Sequence, residues 1–298
     1  MRDFVGRGDF TWFFGVVEDR NDPEQLGRVR VRAYGYHSEN KSDIPTNSLP
    51  WAVPLNNINS ASVSGLGDSP TGLVEGSWVV GFFLDGDRAQ EPAIIGSLAG
   101  SPSQVAETTL GFNDPNGVYP RYTGESDVNK RARGENTTPT KVTDKINSPD
   151  SKFAAVYPMN QVRETESGHY KEYDDTPGAE RIKEFHRSGT MYEVYPDGDK
   201  VTTVVKDNYS IVAGNDSVHV KGNVTVFIDG NADLTVSGTT TVDTPTTNWT
   251  GNINLTGDLD ITGKSTASVD HVSAGISGKG HTHRDTPGLG AGTTSKPQ

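Results

Sequence analysis

DNYSIVAGNDSVHVKGNVTVFIDGNADLTVSG, residues 207–238, closes a unit on glycine every eight residues, at Gly214, Gly222, Gly230 and Gly238. Within the units the fourth position reads Ser210, Val218, Val226, Leu234 and the sixth reads Val212, Val220, Ile228, Val236. Residues two apart on a strand share a face, so each unit is a short strand with one apolar face and a corner of Gly or Asn, where positive φ is cheap. Further on the period shortens to six, as Gly251, Gly257 and Gly263 close NINLTG and DLDITG, and Ile253, Leu255, Leu259 and Ile261 take the inward positions.

Two inward side chains per unit cannot make a core within one chain, because a repeat of this size has nothing to bury its face against. Three copies wound about a common axis solve the problem, each giving one strand per layer to a triangular prism filled by the Val and Ile columns; the alternative is a single-chain solenoid or a sandwich with coincidental glycines. Layers about 4.8 Å apart over roughly ten units give a rod on the order of 50 Å. The break around Pro245 and the segment from Lys264 to Asp270 interrupt the pattern.

Upstream, FTWFFGVVEDRNDPEQLGRVRVRAYGYH reads as two strands joined at Asn21-Asp22-Pro23, the second alternating Val29, Val31, Ala33 against Arg28, Arg30, Arg32. PWAVPL, GSWVVGFFLDGDRAQ and EPAIIGSLAG add further short strands, with no amphipathic helix, so residues 1–100 predict a small barrel of about five strands. Trp12, Trp51 and Trp78 are expected to pack in that barrel, and the arginine run to form a solvated or partner-facing strand side. Residues 101–164, rich in Pro, Asn, Thr and Ser, read as a linker, and their carboxylates Glu135 and Asp144 as solvated. Residues 165–198 form a β-rich neck, cut by turns at Thr176-Pro177-Gly178, Ser188-Gly189 and Pro196-Asp197-Gly198. The trimeric β-helix follows over 199–276 and a tip over 277–298. His37, His169, His186, His219 and His271 stand alone in the sequence and read as surface or packing residues.

Composition narrows the function. The 298 residues carry a net charge of −12, which argues against nucleic acid and anionic membrane surfaces as partners. There is no cysteine, so metal could be held only by His or carboxylates. The opening MRDFVGRGDFTWFF lacks the pattern of a signal peptide, and synthesis in a cytoplasm is expected.

These features resemble the central spike of contractile-tailed bacteriophages, a family to which the VgrG spike of type VI secretion is related. The resemblance rests on WFFGVVEDRNDPEQLGRVRVRAYGYH, LPWAVPL and GLVEGSWVVGFFLDG for an N-terminal OB-fold, on ETESGHYKEYDDTPGAERI for the approach to the spike, on the octads, and on the terminal HTH…KPQ. It implies an all-β homotrimer whose OB-fold attaches to a baseplate hub protein and whose prism is driven through the host outer membrane. The protein would reside in the virion tail baseplate. Some members carry a lysozyme domain between OB-fold and β-helix; residues 101–165 are too few and too polar for one. VgrG chains place a large hub domain first, whereas this chain opens almost directly on the OB-fold, which favours a phage. The alternatives are a type VI or tailocin spike, a receptor-binding fibre, or, in another class, a tail-associated peptidoglycan hydrolase or a metal hydrolase; the expectation is no enzyme.

His281 and His283, in SGKGHTHRDTPG, are the candidate metal ligands. In a three-fold prism one His-x-His strand per chain aims six imidazoles at one point on the axis. An all-imidazole octahedron suits iron or another transition ion better than tetrahedral zinc, and the resemblance implies iron. The ion, one per trimer, would be structural and tie three chain ends together.

Overall fold

The computed structural model describes residues 10–135 and 149–281; His283 and Asp144 lie outside them. The chain divides into two units, Met1–Asp229 and Gly230–Gln298. There is no α-helix among the described residues, and none is therefore long and apolar enough to cross a membrane.

Five strands close a barrel in the order β1-β2-β3-β5-β4: β1 (Trp12–Asp19), β2 (Val29–Ala33), β3 (Trp51–Pro54), β4 (Trp78–Phe83) and β5 (Pro92–Ser97). All neighbours run antiparallel except β3 and β5, so the barrel predicted from alternation is present. Its interior is one cluster of Phe13, Val17, Val29, Val31, Ala33, Ala52, Val79, Phe83 and Ile94, and each of these is nearly or wholly buried. Burying such side chains stabilises by roughly 1.5–3 kcal/mol each for the larger ones. Phe13 and Phe83 meet at 4.8 Å between ring centroids. Closure also needs Gly81, because a Cβ there would run into the carbonyl oxygen of Ala93.

The arginine run is not a solvated side. Arg32 is fully buried on the outer barrel face, paired with the equally buried Glu18. Its guanidinium also donates to the carbonyls of Ser38 and Ile44 at 2.6 and 2.8 Å. Glu18 in turn accepts from Thr46 Oγ1 at 2.7 Å and from the amide of Phe112 at 3.0 Å. Arg30 stacks over Trp51 at 4.4 Å and donates to Leu49 O, while Arg28 pairs with Asp22, whose carboxylate organises the loop after β1. Alternation identifies the face on which these arginines lie; the chain that folds back over that face comes from distant residues 38–46 and 111–112.

That return accounts for the segment read as a linker. Residues 101–135 form no strand, yet they are anchored closely to the barrel. Asp114, 1% exposed, accepts from the amides of Asn116, Val118 and Tyr119, and Gly111 N donates to Glu39 O at 2.7 Å. Asp127 holds Gly100. Glu135 is exposed and pairs with Arg133.

A second sheet has the order β10-β9-β8-β7-β6, from β6 (Asn160–Glu164), β7 (Tyr170–Asp174), β8 (Arg181–Phe185), β9 (Met191–Val194) and β10 (Lys200–Thr203), all antiparallel. The turns expected at 176–178, 188–189 and 196–198 join these strands. Strand β6, NQVRE, falls in the segment read as linker, since it offers no apolar alternation.

Beyond β10 the chain changes character. Residues 204–269 are exposed throughout and form no strand, but the backbone bends at 213–214, 221–222, 229–230 and 237–238, then at 251, 257 and 262–263. Further bends stand at 205–206, 245 and 268–269. In the second unit a hairpin, β11 (Val272–Ser273) and β12 (Ile276–Ser277), turns through Ala274 and Gly275, both with positive φ as a type I′ turn requires.

Candidate functional site

Three features could carry function: the apolar columns, an aromatic barrel face, and a buried ionic layer under the second sheet. The columns are plainest. Val218, Val226 and Leu234 are 83%, 70% and 81% exposed, and Val212, Val220, Ile228 and Val236 are about half exposed. The glycines at 214, 222, 230 and 238 do not take positive φ, and the space where a Cβ would stand is open within this chain. In the hexads Gly251 and Gly257 do take it, at +121° and +139°.

On the barrel, Trp12 and Trp78 correct the expectation that they pack inside. They stand on the outer face, opposite Phe82 and Val16 respectively in the strand register. Trp12 is 57% exposed. Phe14 stacks on Tyr34 at 5.2 Å and meets Trp78 at 6.1 Å, and Tyr34 continues to Phe112 at 5.5 Å. Phe10 lies 5.3 Å from Phe82. Interior positions are already filled by Phe13, Val17 and Val79, and period-two geometry leaves 10, 12, 14, 78 and 82 outside.

Under the second sheet the buried positions are charged. Arg181 lies between Glu193 (2.6 Å), Glu172 (3.3 Å) and Asp174 (3.5 Å); Lys183 reaches Glu193 at 3.2 Å and Arg131 reaches Glu172 at 3.2 Å. Three cations thus face three carboxylates. The segment from 149 covers them, with Ser151 donating to Glu193 at 2.7 Å and the Phe153 ring 4.8 Å from the Arg181 guanidinium. Burial pushes the Glu193 carboxyl up, but the Ser151 hydroxyl, Lys183 and Arg181 outweigh this and hold it below the usual range. Burial lowers Lys183 against the pull of Glu193. Neither this layer nor its hydrogen bonds were legible in a hydrophobic pattern.

The second sheet is joined to the barrel by Glu166, which binds Arg20 in bidentate fashion at 2.9 and 3.2 Å and accepts from Tyr119 at 2.8 Å. Its carboxyl is held low chiefly by the Arg20 hydrogen bonds.

Of the candidate metal ligands, His281 is described and His283 is not. His281 Nδ1 lies 2.9 Å from the carbonyl oxygen of Ser277, which can only accept, so Nδ1 donates and the neutral ring carries its lone pair on Nε2. An imidazole oriented in this way through its other nitrogen suits metal ligation. Among the described residues no group of three or more His, Cys, Asp or Glu could hold a metal within the one chain. Of the histidines read as isolated, His169 and His186 meet at 4.4 Å beside the ends of β7 and β8, each Nδ1 next to a backbone amide, of Arg187 and Ser188 respectively. His37 accepts from Ala33 N and is a packing residue.

Comparison with known proteins follows from this geometry. The family model for the Gp5 N-terminal OB domain matches residues 35–184. Protein Gp5 of Vibrio phage KVP40 is 37% identical over 267 residues, which cover 74% of this chain and 63% of that protein. The pre-baseplate central spike protein Gp5 of Enterobacteria phage T4 is 43% identical over 131 residues, 42% of this chain and 22% of that protein. The chain therefore spans less than two thirds of the length of these curated relatives.

Proposed function

The chain belongs to the Gp5 N-terminal OB domain family, and from that premise we propose that it is a homotrimeric central spike of a phage tail baseplate that punctures the host outer membrane when the sheath contracts. The observation that carries the reading is the run of exposed residues from 204 to 269, whose bends recur every eight residues from 213–214 to 237–238 and about every six from 251 to 262–263. Nothing among the described residues of the chain covers it. Ordinary φ and open space at Gly214, Gly222, Gly230 and Gly238 leave those glycines without a purpose unless another chain passes beside them. A side chain of Val or Ile buried by such a partner contributes about 1.5–3 kcal/mol. Three chains interlocked in this way pair every internal strand and give a rod that resists unfolding from its edges.

The function needs no chemistry. The OB-fold would attach to the baseplate hub, and the aromatic barrel face around Trp12, Phe14 and Trp78 supports that attachment, because aromatic residues are enriched at such interfaces. At the other end His281 and His283 would be the residues that hold a structural iron, one per trimer, with the ion supplying a crosslink between three chain ends.

Light scattering on the purified protein tests the reading. A mass three times that of the chain, kept in SDS without boiling, is expected; a monomer or dimer would remove its basis. A murein turbidity assay should show no clearing, and clearing would favour the hydrolase.

A further inference from the structure

Within the second unit the corner of the repeat changes at Gly251. The bends at 237–238 and 245 keep the eight-residue spacing through Pro245, whereas 245, 251 and 257 are six residues apart. Gly238 has an ordinary φ, but Gly251 and Gly257 take +121° and +139°. The two kinds of corner therefore meet across TTNWTG, residues 246–251.

Counted back from its glycine, each unit here puts apolar side chains at minus four and minus two: Leu234 and Val236 before Gly238, Ile253 and Leu255 before Gly257, Leu259 and Ile261 before Gly263. Before Gly251 the same two positions hold Thr247 and Trp249. Trp249 is thus in phase with the inward column, and Asn248 and Thr250 beside it are in phase with the outward residues, because neighbours along an extended chain alternate faces. In the single chain Trp249 is 68% exposed, like Leu255 at 57% and Leu259 at 72%. No other Phe, Tyr or Trp follows Phe227 in the sequence.

A wall of eight residues between corners is longer than a wall of six by about 7 Å, at about 3.3 Å per residue. A prism built from one and then the other has a step in its width at this unit. The residues just before the step, TTTVDTPT at 239–246, fill it poorly, since Val242 is followed two residues on by Thr244. A large side chain at the head of the narrow part makes up the missing volume, and the small Thr247 leaves it room.

We propose that Trp249 of three copies forms an indole plug across the axis of the prism, at the step from eight-residue to six-residue layers. In a cyclic assembly equivalent residues lie at one height around the axis, so the three rings share one layer. The plug rests on the homotrimer reading and adds a site to which each copy contributes one ring. A buried indole N–H requires an acceptor, and the Thr247 hydroxyls on the same face supply three.

The absence of cysteine permits a direct test in the full chain. Trp249→Cys is compared with Asn248→Cys, its outward neighbour, for the rate of maleimide labelling. In parallel, iodide quenching of the parent is compared with that of Trp249→Phe, which isolates the emission of Trp249. In protein that light scattering shows to be trimeric, labelling at least tenfold slower at 249 than at 248 is expected, with a Trp249 component that iodide does not quench. A trimer in which the two thiols label equally fast, or in which iodide quenches Trp249 as it does a free indole, overturns the plug and leaves the trimer standing. A monomeric parent overturns both. Should Trp249→Cys fail to assemble, the quenching of the assembled parent decides in the same way.

Discussion

Arg32 Nε lies 2.6 Å from Glu18 Oε1, and neither side chain has any solvent exposure. The pair fastens β1 to β2 on the outside of the barrel, and through Thr46 and the Phe112 amide it fastens two loops over both. Removing one member leaves a buried charge uncompensated, at a cost of about 3–5 kcal/mol. Glu18→Ala should therefore lower the barrel's melting transition steeply. The double variant Glu18→Leu with Arg32→Met should recover much of the loss. Calorimetry that found the single variant as stable as the parent would show the pair to be dispensable.

The ionic layer makes a pH prediction. The folded pKa of Glu193 lies below its ordinary value, so its contribution is fully present above the unfolded carboxylate range and is lost as pH falls through the folded value. Acid should then destabilise the second sheet only below the usual carboxylate range. Glu193→Gln should remove part of that dependence while lowering stability at neutral pH, since Arg181 and Lys183 lose their partner. Denaturant melts between pH 7 and 3 measure both effects.

How far this fold was legible follows from which physical signal each element carries. Strands β1 to β5 alternate cleanly because their inward face fills an apolar barrel, and Val29, Val31 and Ala33 went where alternation put them. Alternation does not say what covers the other face. Arg32 is buried by residues far along the chain, and Trp12 and Trp78 stand outside because smaller and better-placed side chains already fill the interior. In the second sheet the rule fails more deeply: Glu172, Lys183 and Glu193 take the buried positions because ion pairing replaces apolar packing, so β6 had no readable pattern at all. His281 was legible only through its spacing from His283, and its hydrogen bond to Ser277 required the turn after β12.

The aromatic barrel face predicts where a hub would bind. Exposed Trp side chains dominate interface energetics, with truncation costing about 2 kcal/mol or more at a hot spot. Trp12→Ala should weaken hub binding on the order of 30-fold and Trp78→Ala should do so comparably, with no change in trimer mass, because both rings lie outside the barrel core. Val53→Ala, at a partly exposed position on β3, serves as the control. Binding measured by interferometry against the isolated hub should separate them; equal affinities for all three variants would move the hub contact elsewhere on the barrel.

The tip makes the last prediction. If the proposed trimer brings His281 and His283 of three chains together, six imidazole nitrogens would be available, a donor set that would suit a transition ion. Metal analysis should find one iron for every three chains. Each neutral His281 presents Nε2, since Nδ1 is committed to the Ser277 carbonyl. Ligation through Nε2 therefore needs no change of tautomer. His281→Ala and His283→Ala should each abolish the iron without dissociating the trimer, because the columns from Val212 to Ile261 are untouched. Loss of iron should show instead as faster proteolysis confined to the residues after the β11–β12 hairpin. Protein purified free of metal with a protease-resistant tip, or holding one zinc per chain, would falsify the six-histidine site.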